Sequence, residues 1–176
     1  MSTGTGDAAL PRAVARLEIS WVGTDLLRGE QELDHLSELA SGVLSDRHGP
    51  RPLSVDVRFV EPAEMAELNV EHMGHEGPTD VLSFPIDGDP IDAVFPGADE
   101  PPWMLGDVVI CPEVAAANAP THAGTYEDEM ALLVVHGLLH LLGMDHATPD
   151  ERTAMQARER ELLDIYHGPL ARDPWV

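Results

Sequence analysis

Three imidazoles stand at the spacing His136-x-x-x-His140-x-x-Gly143-x-x-His146. On a helix, residues four apart lie on one face one turn above the other, so His136 and His140 can direct both rings at a common atom. Gly143 falls where the chain must leave the helix, and glycine takes the left-handed conformation that turns it back toward those rings. His146 then arrives as a third ligand. Zinc takes neutral imidazole nitrogen at roughly 2.0–2.1 Å in tetrahedral geometry, so three protein ligands leave a fourth position for water or substrate. An open position marks a catalytic site. The expected cofactor is one Zn2+ ion, although nickel, copper or iron would accept the same donors.

The same spacing occurs in metzincin proteases, where a glutamate directly after the first histidine serves as general base. Here that position is Gly137, which has no group to take a proton. Any base must come from the substrate or from elsewhere in the chain, and the sequence nominates no catalytic residue beyond the ligands. Asp145, beside the third ligand, can either orient an imidazole from behind or cap the helix end.

Several elements must position these rings. Leu17, Ile19 and Trp21 alternate with polar residues, as do Leu53, Val55, Val57 and Phe59, and both runs read as half-buried strands. Leu33, Leu36, Leu39, Val43 and Leu44 recur at helical spacing between them, with His48-Gly49-Pro50 as a stop. Pro62 opens a short helix through Asn69, a third strand spans Asp80 to Phe84, and a fourth runs from Gly106 to Ile110. Pro112 begins a helix reaching about His122. Thr125-x-x-Asp128 resembles a capping box for the helix that bears His136 and His140. That helix is apolar nearly all round and belongs in the centre of a fold. Thr148-Pro149-Asp150-Glu151 caps a last helix that ends before His167-Gly168-Pro169. The stretch from Pro85 to Pro102 gathers prolines and acids and reads as an irregular acidic loop, either a lid or a surface insertion. The order of elements gives an α+β fold, with about four strands in one mixed sheet, about five helices and the metal-bearing helix central. Residues 1–15 read as a loose tail, 16–168 as a single domain and 169–176 as a C-terminal tail.

Composition narrows the function. The chain carries 10 basic and 32 acidic residues, a net charge of −22. Nucleic-acid binders usually carry a basic footprint, so this balance argues against tight autonomous binding to RNA or DNA, while leaving room for a local cationic patch or a metal that supplies charge. The apolar run from Ala131 to Met144 is too short and histidine-bearing to span a bilayer, and Met1 to Ala15 lacks the pattern of a secretory signal. A single cysteine, Cys111, fits a reducing cytoplasm and reads as a small buried residue at a strand end.

Three blocks carry a likeness to a known family. HGLLHLLGMDH at 136–146, PTDVLSFP at 78–85 and LGDVVICP at 105–112 closely resemble the H-G-x-L-H-L-x-G-Y-D-H, P-T-D-V-L-S-F-P and L-G-D-I-x-I segments of the YbeY metal-dependent endoribonucleases, which are also ribosomal RNA maturation factors. The likeness spans roughly residues 17–167. It implies a zinc site at His136, His140 and His146, cleavage of single-stranded RNA, and work on the 3′ end of small-subunit ribosomal RNA or in ribosome quality control. It also implies the small ribosomal subunit or its proteins as partners, with no membrane and no DNA. One departure stands out. Many members have a Tyr-Arg pair before the P-T-D block, where this chain has His72-Met73, and methionine cannot donate to a phosphate. Arg58 is a candidate to replace that arginine, and His72 and His75 are expected to face solvent. Two other readings stand beside the nuclease. One is a non-catalytic, zinc-stabilised ribosome-assembly factor binding basic ribosomal proteins through its acidic surface, which the charge and Met73 favour. The more distant one is a protease-like metallohydrolase, which Gly137 opposes.

Overall fold

A computed structural model describes residues 16–47, 52–86 and 101–176. The first alternating run forms β1 (Leu17–Val22), and the second forms β2 (Leu53–Phe59), which buries Leu53, Val55, Val57 and Phe59 on one face. Helix α1 (Glu30–Arg47) makes the crossover, and the two strands pair in parallel from Leu17 opposite Leu53 to Val22 opposite Arg58. Helix α2 (Pro62–Met73) starts on a proline, whose missing N–H is no loss in the first turn, and runs past Asn69 to a left-handed Gly74. Strand β3 (Val81–Pro85) follows as expected.

Strand β4 (Trp103–Ile110) begins earlier than the expected Gly106, because Trp103 and Met104 pair with Leu53 and Ser54 of β2. That pairing is long-range and leaves no local period. Helix α3 (Pro112–Asn118) is shorter than expected and tightens into a 3-10 turn at Ala119–Thr121, where Pro120 has no N–H for a further α-helical bond. Helices α4 (Tyr126–Leu141) and α5 (Pro149–Tyr166) complete the fold. Thr148 and Glu151 form the full capping box. Thr125 makes only half of one: its hydroxyl accepts from the Asp128 N–H, while the Asp128 carboxylate turns to His167 and the Ala171 N–H instead. The expected helix stop at 48–50, the tail at 1–15 and most of the acidic loop, 87–100, lie outside the described residues.

The sheet runs β1-β2-β4-β3, the first three strands parallel and β3 antiparallel at the edge, so among the described residues the α+β fold has the expected mixed four-stranded sheet and five α-helices. Helices α1, α4 and α5 cover one face with a single large core. Helix α2 covers the other, where its Met65 packs with Val60, Leu82, Val109 and Cys111. Cys111 is fully buried just after β4, and burial pushes its thiol up, which leaves it an inert core residue. Helix α4 is buried almost along its whole length, packed against β3, β4, α1, α3 and α5. An element held on so many sides is a rigid base for a site. Among the described residues no helix is long and apolar enough to cross a membrane.

Candidate metal centre

The exit of α4 sets the third imidazole. Gly143 has a φ of 92°, its N–H donates to the His140 carbonyl (3.0 Å), and the Met144 N–H donates to the Leu139 carbonyl (2.9 Å). This is a Schellman turn, and an L-residue at its glycine would be strained. The turn throws the chain back over the end of its own helix and brings His146 to the other two rings. The His136 and His140 Nε2 atoms stand 3.1 Å apart, and one ring nitrogen from each of the three histidines lies within 4.8 Å of the others. Ring centroids are separated by 4.6, 5.0 and 5.4 Å. Two nitrogens on a tetrahedral zinc stand about 3.3 Å apart, given its usual bond lengths, so this donor set fits such an ion.

Burial holds His140 below the ordinary imidazole range, and the neighbouring His136 and His146 push it further down. The ring is therefore biased to the neutral form that a metal requires. His136 has a different support. Its Nδ1 lies 2.6 Å from Oε1 of Glu159, which is 3% exposed, and Oε2 of the same carboxylate accepts from the Trp175 indole N–H at 2.8 Å. A carboxylate behind Nδ1 keeps the hydrogen there and leaves the Nε2 lone pair facing the other two rings. Asp145 is not that carboxylate: its Oδ1 accepts from the His146 backbone N–H at 2.7 Å and shapes the turn.

Gly137 has a packing reason. A Cβ at this position would stand 2.5 Å from Val108 Cγ1 and 3.3 Å from Ser83 Oγ, and the Ser83 hydroxyl donates to the Gly137 carbonyl at 3.3 Å. Helix α4 lies so close to the sheet here that a side chain at this position would force Val108 to shift, a glutamate more than an alanine.

Two cavities open against the triad, sharing Val81, His136 and His146 as a common wall. One, of about 480 Å³, has Met73, Ser83 and Pro85 opposite the histidines. Met73 thus does reach the site from the end of α2. The other, of about 330 Å³, is walled by His122, Arg152, Met155, Gln156 and Trp175. Arg58 reaches neither. It alternates with the buried face of β2 and is ion-paired with Glu64 of α2 on the opposite side of the sheet. His72 packs edge-on against Phe84, with centroids 4.8 Å apart, and His75 is exposed; neither lines these cavities.

Sequence reasoning missed Glu159 and a second such pair, His122 and Glu129. The Glu129 side chain is fully buried and its carboxylate lies 2.9 Å from His122 Nδ1 while accepting from the Ala123 N–H at 3.1 Å. The signal existed. Glu159 stands at helical spacing between Met155 and Leu162 on the apolar stripe of α5, and Glu129 enters the apolar run of α4 directly before Met130. A carboxylate on a buried stripe requires a partner.

The family model described as Endoribonuclease YbeY matches residues 27–167. A curated relative of that name from Frankia casuarinae is 45% identical over 145 residues, covering 80% of this chain and 71% of the relative. Another from Thermobifida fusca is 46% identical over 141 residues, covering 80% of this chain and 89% of the relative. A solution structure of a Thermotoga maritima protein is 26% identical, covers 84% of this chain and 91% of that one, and superposes with a TM-score of 0.48.

Proposed function

The chain belongs to the YbeY endoribonuclease family, and we propose that it is a zinc-dependent endoribonuclease that cuts single-stranded RNA in the cytoplasm, in maturation of the 3′ end of small-subunit ribosomal RNA and in ribosome quality control. Its partners in this reading are ribosomal RNA and the small subunit or its proteins. The observation that carries the proposal is the convergence of His136, His140 and His146 at the end of a buried helix, with a buried carboxylate behind one ring. These three residues are the proposed ligands. A zinc ion in such a site supplies positive charge to a phosphoryl oxygen or acidifies a water near neutral pH.

The remaining work falls to the chain. Glu159 fixes the tautomer of His136 and so the direction of its lone pair. Burial biases His140 toward its neutral form. The two flanking cavities give a strand a place on either side of the triad. The nucleophile is either water or the RNA 2′-hydroxyl, and a substrate with a 2′-deoxy sugar at the cleaved position separates them: cutting that continues there excludes the 2′-hydroxyl. Labelled single-stranded RNA incubated with metal-quantified protein tests the proposal, with loss of cutting expected on chelation and in His140→Ala. Intact RNA with a stoichiometrically loaded protein would overturn it. That result would favour the second reading, a zinc-stabilised assembly factor, which the net charge of −22 and the exposed Met73 support. Gly137 weighs against a metzincin-like protease, since the glutamate of that mechanism is absent and would crowd Val108.

A further inference from the structure

The cavity of about 330 Å³ has features that metal ligation alone does not use. Its floor is apolar, with Leu132, Leu133, Met155 and Trp175, and its size is near the lower end of the ~300–1,000 Å³ of small-molecule sites. One nucleoside-sized group fits; a duplex does not. Its walls are fixed. The Glu159 carboxylate ties the Trp175 indole N–H (2.8 Å) to His136 Nδ1 (2.6 Å), so one buried group holds both the aromatic wall and a metal-facing ring. Arg160 backs that indole with its guanidinium 4.6 Å from the ring centroid. Across the cavity, Glu129 holds His122 by Nδ1 and leaves Nε2 as the free edge of the ring.

The cation at the rim carries no ion pair. All ten basic residues are arginines. Arg16, Arg28, Arg58, Arg158 and Arg160 each pair with a carboxylate. The exposed Arg152 and Arg172 side chains pair with none among the described residues, although the chain carries 32 acids, and of these two Arg152 is the one that lines this cavity. Asp80, a carboxylate of the cavity wall, accepts instead from the Val81 N–H (2.8 Å) and the Asn118 amide (3.4 Å). A guanidinium presents a planar fork suited to two phosphate oxygens. It stands on the opposite cavity from Met73, so the cation lacking on that side is present on this one.

We propose that this cavity is a nucleotide subsite: a base next to the scissile phosphate seats on Met155 and Trp175, and Arg152 holds a phosphate at the rim. The inference rests on the RNA reading above. Single strands are recognised by splaying out individual bases onto aromatic surfaces, which is the shape this cavity offers.

Single-turnover cleavage of labelled single-stranded RNA, titrated with holoenzyme over a salt series, tests it. Arg152→Gln is expected to raise the half-saturating concentration about tenfold, with the maximal rate unchanged. The slope of log affinity against log salt should fall by about 0.7, the share of one phosphate contact on a single strand. Arg152→Lys should restore the slope, and a merely structural residue would not move it. An abasic nucleotide beside the cleaved bond should weaken wild-type binding at least about fivefold. If wild-type protein cuts RNA but Arg152→Gln leaves both the affinity and the salt slope unchanged, the subsite is wrong and the nuclease reading stands. If wild-type protein neither binds nor cuts, both fall together.

Discussion

Replacing Glu159 by Gln exchanges one oxygen for an NH2 and removes one charge, yet the geometry makes it a severe change. Two N–H donors converge on this carboxylate, His136 Nδ1 at 2.6 Å and Trp175 Nε1 at 2.8 Å, each on its own oxygen. A glutamine has one carbonyl oxygen, so one donor must face an amide NH2. The side chain is 3% exposed, and water does not replace the lost acceptor. An unsatisfied buried donor costs about 1–3 kcal/mol. His136 can escape by moving its proton to Nε2, but that removes the lone pair from the triad. Either way metal affinity falls, by about 10–100-fold on the usual scale for a carboxylate behind a ligating histidine. Competition with a chromophoric chelator at pH 7 measures it, with the urea midpoint of the metal-free protein as a check on folding. Glu161→Gln on the same helix, whose side chain is 57% exposed and among the described residues pairs only with Arg158, is the control and should stay within about 0.5 kcal/mol. Zinc affinity in Glu159→Gln within about threefold of wild type would refute the reasoning.

Gly137→Ala should destabilise by about 1 kcal/mol or more, since overpacking against Val108 costs about 1–3 kcal/mol and outweighs the helix propensity gained; a neutral or stabilised variant in urea denaturation would show that α4 can lift off the sheet. Burial alone would raise the Asp128 carboxyl, but the His167 ring at 2.7 Å and the Ala171 N–H at 2.8 Å outweigh it and hold the group below its ordinary value. The stability this gives is present above the unfolded value of 3.8 and lost as the pH falls through the lower folded value, so the gap between wild type and Asp128→Asn in urea midpoints should narrow between pH 5 and pH 3. His140 is depressed instead, so the unfolded chain binds the extra proton; the metal-free protein should lose stability as the pH falls below 6.5, and His140→Gln should flatten that slope.

Much of the site was legible because its determinants are local. The i, i+4 spacing of His136 and His140 needs only a helix, and the Gly143 turn needs only a residue that accepts a φ of 92°. The alternation in β1 and β2 and the caps at Thr148 and Pro62 are likewise written within a few residues. What escaped depends on contacts far apart in the chain. Trp103 joins β4 only because Leu53 lies beside it, and the Asp128 side chain leaves its expected cap because His167 and Ala171 arrive from beyond α5. Gly137 read as a missing base, whereas its position on Val108 makes it a close-packing residue. Arg58 looked available as a cation until Glu64 and the opposite face of the sheet claimed it. Of the two readings open for Asp145, the structure takes the one in which it shapes the helix exit, and the carboxylate behind His136 comes from α5 at Glu159, far along the chain.

The central claim is that the three imidazoles hold a metal that makes this fold a ribonuclease. The most direct test loads the protein with zinc, quantifies the ion per chain, and follows cleavage of a labelled single-stranded RNA before chelation, after it and after zinc is restored, with His140→Ala alongside. One equivalent of zinc, with cutting that vanishes on chelation, returns with the metal and is absent in His140→Ala, is the expected result. Cutting that persists in the chelated protein or in His140→Ala would contradict it.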